Sequence, residues 1–306
     1  MTTLVFGHKS PDTDSTGSPI VWAWYLNHIK GTEAKPVLLG EPNTEALFVL
    51  DHWNLEKPEI LTELAADTDI VIVDTNNPAE LPDNVNDANI TGIIDHHRLV
   101  AGLETRGPIE IDMQPLACTA TIMWKKIGKD WAQAPREIKG AALSCILSDT
   151  LEFRSPTTTQ EDKAIAYSIA EELGVDIPDY AAQMFAAKSD VSSFSEEELL
   201  RMDSKEFDLD GTGLRVSVLE TTTPAPLLER KDALMAAMPG VAAADGAAEV
   251  LLFVVDILKE EATLLVPNDR VKTIAEKSFG ATVTGDHVVL PGVMSRKKQI
   301  IPNLKA

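Results

Sequence analysis

The stretch Gly7-His8-Lys9-Ser10-Pro11-Asp12-Thr13-Asp14-Ser15 places one imidazole and two carboxylates within seven residues, as His-x-x-x-Asp-x-Asp. Carboxylate oxygen and imidazole nitrogen are ligands for divalent cations, and two carboxylates packed together without a cation are costly. The same chemistry recurs at Asp74, in Asp95-His96-His97-Arg98 and in Ser148-Asp149-Thr150. The set His8, Asp12, Asp14, Asp74, His96, His97 and Asp149 contains no thiolate. It suits Mn²⁺, Mg²⁺, Co²⁺ or Zn²⁺ and disfavours a structural zinc site. Two metals need about six to eight donor groups, at least one of them a bridging carboxylate, and this set supplies enough. Taken singly these residues are ordinary, since a loop aspartate is usually a turn or cap residue.

What changes their meaning is the elements that hold them. Leu4-Val5-Phe6 reads as a buried strand, followed by a helical pattern from Ile20 to Ile29. Lys35 to Gly40 gives a second strand, Asn43-Thr44-Glu45 caps a helix to about Trp53, and Asp69 to Val73 forms a third strand ending at Asp74. A fourth, Ile90 to Ile94, ends in Asp95-His96-His97-Arg98, and Ile109 to Met113 is a further candidate. Near-continuous apolar strands alternating with helices imply a parallel sheet with helices on both faces. The strand ends after residues 6, 73 and 94 then release acid or imidazole on one edge, where α/β sheets bind ligands. Asp74, at the end of an expected central strand, is the candidate bridge. Thr119 caps a helix to about Ile127, Pro135 opens one to Leu147 that ends near Asp149, and helices follow at Gln160–Leu173 and Ile177–Ala187. His28, His52 and His287 have no such company and are assigned no role.

Residues 188–196 are polar and serine-rich and read as a linker or hinge between a metal-binding domain, 1–187, and a smaller mixed α/β domain, 197–306. In the latter, strands are expected at 205–209, 214–219, 249–258 and 262–266, helices near 226–238 and 269–277, and a hairpin-like pair over 281–290. An active site in the cleft between the two domains is expected.

The 306 residues carry a net charge of −21. That argues against nucleic acid as partner. A small phosphate ester would also be repelled unless metals and a local basic cluster reversed the field. Ser295-Arg296-Lys297-Lys298 is such a cluster, and Lys205 lies in the same domain. The apolar runs are too short to span a bilayer. Residues 1–6 lack a basic leader pattern, and Cys118 and Cys145 read as buried thiols of a reducing cytoplasm.

Together, Gly7 to Ser15, Asp74-Thr75-Asn76, Asp95 to Arg98, Ser148-Asp149-Thr150 and Ser295-Arg296-Lys297-Lys298-Gln299 closely resemble the family II inorganic pyrophosphatases, the manganese-dependent Asp-His-His-type enzymes. The resemblance runs the length of the chain. The terminal Ser-Arg-Lys-Lys separates it from Asp-His-His exonucleases and oligoribonucleases, which end in a Gly-Gly-Gly-His-type motif. The spacing of Asp74, Asp95 and Asp149 leaves no room for the regulatory nucleotide-binding insert of some relatives. The resemblance implies that His8, Asp12 and Asp74 hold one Mn²⁺ and that Asp14, Asp74, His96 and Asp149 hold another, with Co²⁺ or Mg²⁺ as substitutes. It implies that His97, Lys205, Arg296 and Lys297 contact phosphates, that further Mg²⁺ or Mn²⁺ arrives with substrate, and that the chain is a homodimer through its N-terminal domain. The expected reaction is hydrolysis of pyrophosphate by a hydroxide bridging two metals. The alternative is an exopolyphosphatase or short-oligonucleotide phosphodiesterase with the same metal site.

Overall fold

The computed structural model describes residues 2–209 and 211–305, the side chain of Lys297 excepted. The chain divides into two compact units, Met1–Ala187 and Lys188–Ala306.

In the N-terminal unit the strands are β1 (Thr3–Phe6), β2 (Ala34–Pro36), β3 (Asp69–Val73), β4 (Asn89–Asp95) and β5 (Glu110–Met113). They form one sheet in the order β2-β1-β3-β4-β5, every pairing parallel. Its helices are α1 (Thr13–Tyr25), α2 (Thr44–His52), α3 (Thr119–Ile127), α4 (Arg136–Asp149), α5 (Gln160–Leu173) and α6 (Ile177–Lys188). Alternate strand residues face opposite ways. Val5, Val71, Val73 and Ile94 pack against the helices in one core, while Phe6, Ile70, Ile72, Ile90 and Ile93 pack against Leu64, Leu81, Val85 and Ala88 in another. Both faces are thus covered, the second largely by loops and the 3₁₀ turns Pro78–Glu80 and Val85–Asp87. Each large side chain so buried stabilises the unit by about 1.5–3 kcal/mol, which explains the continuous apolar strands.

Several boundaries differ from those read in the sequence. Helix α1 begins at Thr13, not Ile20, because Asp12 caps it by accepting a hydrogen bond from Ser15 N at 2.9 Å. Its polar first turns show no apolar stripe because they face other polar groups. Cys118, not Thr119, is the residue preceding the first turn of α3. The second strand is shorter than expected, with an isolated bridge from Leu38 to Ile60 beyond it.

The C-terminal unit contains α7 (Glu196–Met202), β6 (Ser204–Leu209), β7 (Thr212–Thr221), α8 (Ala225–Glu229), α9 (Lys231–Ala244), β8 (Glu249–Asp256), β9 (Glu261–Leu265), α10 (Asp269–Phe279) and β10 (His287–Pro291). The sheet order is β10-β9-β8-β7-β6; β7 and β8 run parallel and the other pairs antiparallel. Strand β8 alternates between two cores, Leu251, Phe253 and Val255 on one face and Val250, Leu252 and Val254 on the other. The pair expected over 281–290 is a single strand, β10, which finds its partner in β9. The helix expected near 226–238 is two helices broken at Arg230. No described helix is long and apolar enough to cross a membrane.

Candidate metal centre

Strand β1 has β2 on one side and β3 on the other, so the chain leaves the sheet centre in opposite directions on either side of the β1–β3 pair. At such a switch point the loops diverge and leave a crevice beyond the carboxyl ends of the strands. His8 follows β1 and Asp74 follows β3, one on each side of that crevice.

Gly7 lets the first loop close over α1. A Cβ there would lie 1.9 Å from Ser15 Oγ, and that hydroxyl accepts the His8 N–H at 2.7 Å. The loop is thereby fastened to the helix whose cap and first turn carry Asp12 and Asp14. Asp14 is held from two sides, by Ser18 Oγ at 2.5 Å and by the Thr119 N–H at 2.8 Å. Asp74 sits in the left-handed backbone region at φ 58°, where aspartate is better tolerated than most residues. Beyond α4, Leu151, Glu152 and Phe153 are successively left-handed, so the chain turns sharply directly after Asp149. Backbone outliers of this kind collect at functional sites.

Among the described residues three groups of ligand atoms result, each mutually within 4.8 Å: His8, Asp12 and Asp74; Asp14, His96 and Asp149; and Asp74, His96 and His97. Asp74 links them, its Oδ2 lying 3.5 Å from His8 Nε2 and its Oδ1 lying 3.3 Å from His96 Nε2. The tautomer of His96 makes the second contact informative. Its Nδ1 lies 3.3 Å from Leu116 O, a group that can only accept, so Nδ1 carries the proton and Nε2 is a lone pair. Burial lowers the pKa of His96 against the opposing influence of Asp14, and so favours the neutral ring. A lone pair and a carboxylate oxygen therefore face one another, an arrangement that a cation between them satisfies. Asp149 Oδ2 is likewise buried without a hydrogen-bond partner among the described residues.

The electrostatics agree. Burial first, then the charges of Asp14, Asp12, Asp149 and Asp95, push the Asp74 carboxyl far above the ordinary range. Burial, then Asp14 and Asp12, does the same for Asp149. At His8 burial works downward, but the hydrogen bond and charge of Asp12, with Glu80 and Asp14, outweigh it and raise the pKa. A largely buried set of mutually repelling acids is matched to divalent cations.

Asp95, the first residue of Asp-His-His, faces away from this set. Its Oδ1 accepts from His97 Nδ1 at 2.9 Å and its Oδ2 from Asn76 Nδ2 at 2.5 Å; Asn76 also accepts the Val100 N–H at 2.6 Å. Burial would raise the Asp95 pKa, but the bonds from His97 and Asn76 override it and lower it. The bond to Asp95 raises His97 in turn, against burial. Asp95 and Asn76 thus orient the second histidine. Neither role was legible in the sequence, although the two residues stand in Asp74-Thr75-Asn76 and Asp95-His96-His97-Arg98. Beside His8 and His97 an open cavity of about 590 Å³ is lined also by Thr75, Asn76 and Arg98.

The basic residues belong to the C-terminal unit. Ser295 Oγ caps the turn Arg296–Ile300, and Gln299 Oε1 accepts the N–H groups of Met294 and Ser295, both at 2.9 Å. Arg296 reaches back to Asp203, bonding its carbonyl and its carboxylate, each at 2.7 Å. Asp203, which Arg296 holds, stands two residues before Lys205 of edge strand β6. The side chain of Lys297, the third expected phosphate contact, lies outside the described residues.

Residues 2–149 match the DHH family, N-terminal domain, and residues 182–306 match the DHHA2 domain. A Lactobacillus acidophilus protein described as a probable manganese-dependent inorganic pyrophosphatase is 37% identical over 98% of this chain and 97% of its own. An Enterococcus faecalis protein of the same description is also 37% identical, with the same coverage. A crystal structure from Methanococcus jannaschii, assigned provisionally to the family II inorganic pyrophosphatases, aligns over 99% of this chain and 98% of its own with TM-score 0.65 and 33% identity. An exopolyphosphatase-related protein from Bacteroides fragilis shares the fold alone, with TM-score 0.51 and 14% identity over 98% of this chain and 89% of its own.

Proposed function

The chain belongs to the manganese-dependent, family II inorganic pyrophosphatases, and from that premise we propose how its own residues hydrolyse pyrophosphate to two phosphates. The observation that carries the reading is Asp74, buried at the sheet switch point with one carboxylate oxygen toward His8 and the other toward an unprotonated His96 nitrogen.

His8, Asp12 and Asp74 would hold one Mn²⁺, and Asp14, Asp74, His96 and Asp149 a second, giving two per subunit. Bound cations supply a water of lowered pKa and positive charge against the phosphoryl oxygens. Co²⁺ or Mg²⁺ would serve as substitutes, and further Mg²⁺ or Mn²⁺ would accompany the substrate. His97 keeps one N–H on Asp95, whose hydrogen bond and charge favour the protonated ring; in that form its other N–H would serve a phosphate oxygen. Asp203 pre-orients the Arg296 guanidinium, which can grip the leaving phosphate through two donors. Lys205 and Lys297 would add point charges. In a protein of net charge −21 such local cations are what make a multiply charged anion welcome.

The proposal extends to a homodimer through the N-terminal unit, supported by Leu99 and Ile111, large apolar side chains exposed on that unit, and to a cytoplasmic location, supported by two buried free cysteines. The test is phosphate release by chelator-stripped protein after addition of defined Mn²⁺, Mg²⁺ or Co²⁺, with pyrophosphate, tripolyphosphate and a dinucleotide as substrates. Metal-dependent turnover of pyrophosphate in preference to the other two is expected. Full activity with excess chelator present, or preference for tripolyphosphate or the dinucleotide, would overturn the reading.

A further inference from the structure

Glu45 places a carboxylate entirely inside the N-terminal unit, outside the three ligand groups. Its Oε2 accepts hydrogen bonds from Thr13 Oγ at 3.0 Å and from Ser148 Oγ at 2.8 Å. Thr13 lies between Asp12 and Asp14, and Ser148 immediately precedes Asp149. One oxygen atom therefore joins the start of α1 to the end of α4 across 135 residues of chain (148 − 13), from the first turn of α2.

A buried carboxylate is an expensive way to fill space. This one is tolerated because the first turn of a helix presents aligned peptide dipoles and because two hydroxyls donate to it. Its neighbourhood shows why direction matters there. Helices α1 and α4 approach closely at Gly17, where a Cβ would lie 2.4 Å from Cys145 Sγ. That contact sets how near the helices stand. It does not set how far one slides or turns against the other, which is what decides where Asp14 and Asp149 point. A pair of directed hydrogen bonds at the ligand-bearing ends does. An apolar side chain of equal volume would fill the site without fixing the register.

We propose that Glu45 is a positioning residue for the cation site, holding the α1 start that carries Asp12 and Asp14 in register with the α4 end that carries Asp149. The inference rests on the reading of those acids as Mn²⁺ ligands. Glu45 acts through two hydroxyls and touches neither cation nor substrate. Outer groups that orient ligands typically contribute about 10–100-fold to metal affinity, and an effect of that size is expected here.

The test titrates Mn²⁺ calorimetrically into full-length, chelator-stripped protein and records far-UV circular dichroism and melting of the stripped form. A parent binding fewer than two Mn²⁺ per chain would sink the metal-site reading itself, separately from Glu45. With two bound in the parent, Glu45→Ala should weaken Mn²⁺ by about 10–100-fold. Glu45→Gln, whose amide oxygen still accepts both hydroxyls, should stay within a few-fold of the parent. Ser148→Ala and Thr13→Val each cut one arm and carry the test if Glu45→Ala fails to fold. Each should weaken Mn²⁺ while the stripped protein melts near the parent temperature. Parental Mn²⁺ affinity in Glu45→Ala, or in both single-arm variants, overturns the proposal. So does a Glu45→Gln protein as weak as Glu45→Ala, which would make charge and not position the cause.

Discussion

In the N-terminal unit Asp74, buried, and Asp149, half-buried, stand beside other carboxylates and are pushed far above the ordinary range, whereas in the C-terminal unit Asp245 lies between Arg201 and Arg215 and is held below it. Arg201 bonds both Asp245 oxygens, at 2.6 and 2.7 Å, and Arg215 adds a third contact. Asp286, bonded by Lys231 and His287, falls to about 2. The same side chain is thus a settled structural element in one unit and an unsatisfied one in the other. Acids whose partners come from the chain itself hold the fold together. Acids gathered without such partners cost folding stability, which is what the proposed cation site would recover on binding its metal.

Replacing the linking acid tests this contrast most severely. Asp74→Asn should lower phosphate release by more than the roughly 10²–10³-fold typical of losing one transition-state donor, because on the proposed assignment both cation positions would lose a carboxylate ligand. In chelator at pH 8 the same variant should melt above the parent, since one of several repelling carboxylates is gone. A lower melting temperature, or near-normal binding of two Mn²⁺, would break the comparison.

Next comes Arg296→Ala. Its loss should cost about 10²–10³-fold in kcat with Mn²⁺ binding unchanged. A change in metal stoichiometry would show that the division of labour between the units is misdrawn.

The third effect is one of stability against pH. The carboxyls of Asp74 and Asp149 bind protons in the folded state over a range where the unfolded chain has released them, so stability falls as pH rises from the ordinary carboxylate range toward their raised values. His8, also raised, acts in the same sense: its contribution is complete below about pH 6.5 and is lost as pH passes its folded value. His96, lowered, acts oppositely, since protonating it below its ordinary value disfavours the fold. His97, raised, sides with His8, and His52, lowered, sides with His96; with the two strongly raised carboxyls on the first side, the metal-free protein should be less stable at pH 8 than at pH 5. With Mn²⁺ the slope should vanish or reverse, because ligands must be deprotonated to bind. Thermal melts with chelator and with Mn²⁺ decide it; parallel curves would show that the acids are not the cation site.

The smallest effects belong to the paired charges. Asp245→Ala should lower melting modestly and leave kcat within a few-fold of the parent, and Lys298→Ala should leave both nearly unchanged. A large loss of turnover in either would mean that the C-terminal charges do more than hold their own unit together.

The order of strands and helices is local information. Apolar runs such as Asp69 to Val73 and Val250 to Val255 bury both faces of a sheet wherever they lie, so the parallel core and the second mixed sheet were legible in the chain. The candidate ligand residues were legible for a related reason: acid or imidazole directly after an apolar strand has few bland explanations. Helix starts hidden by polar residues were not, since the first turn of α1 points a hydroxyl and a carboxylate at partners from α2 and α3 and so shows no apolar period. Nor was the difference between Asp95 and its neighbour His96, adjacent in sequence yet directed respectively toward Asn76 and toward Asp74. Residue types and spacing determined which groups the protein has for chemistry. The adjacency of β1 and β3 that sets His8 against Asp74, and the meeting of Glu45 with Thr13 and Ser148, came only from tertiary structure, because pairing between distant segments leaves no periodicity in either one.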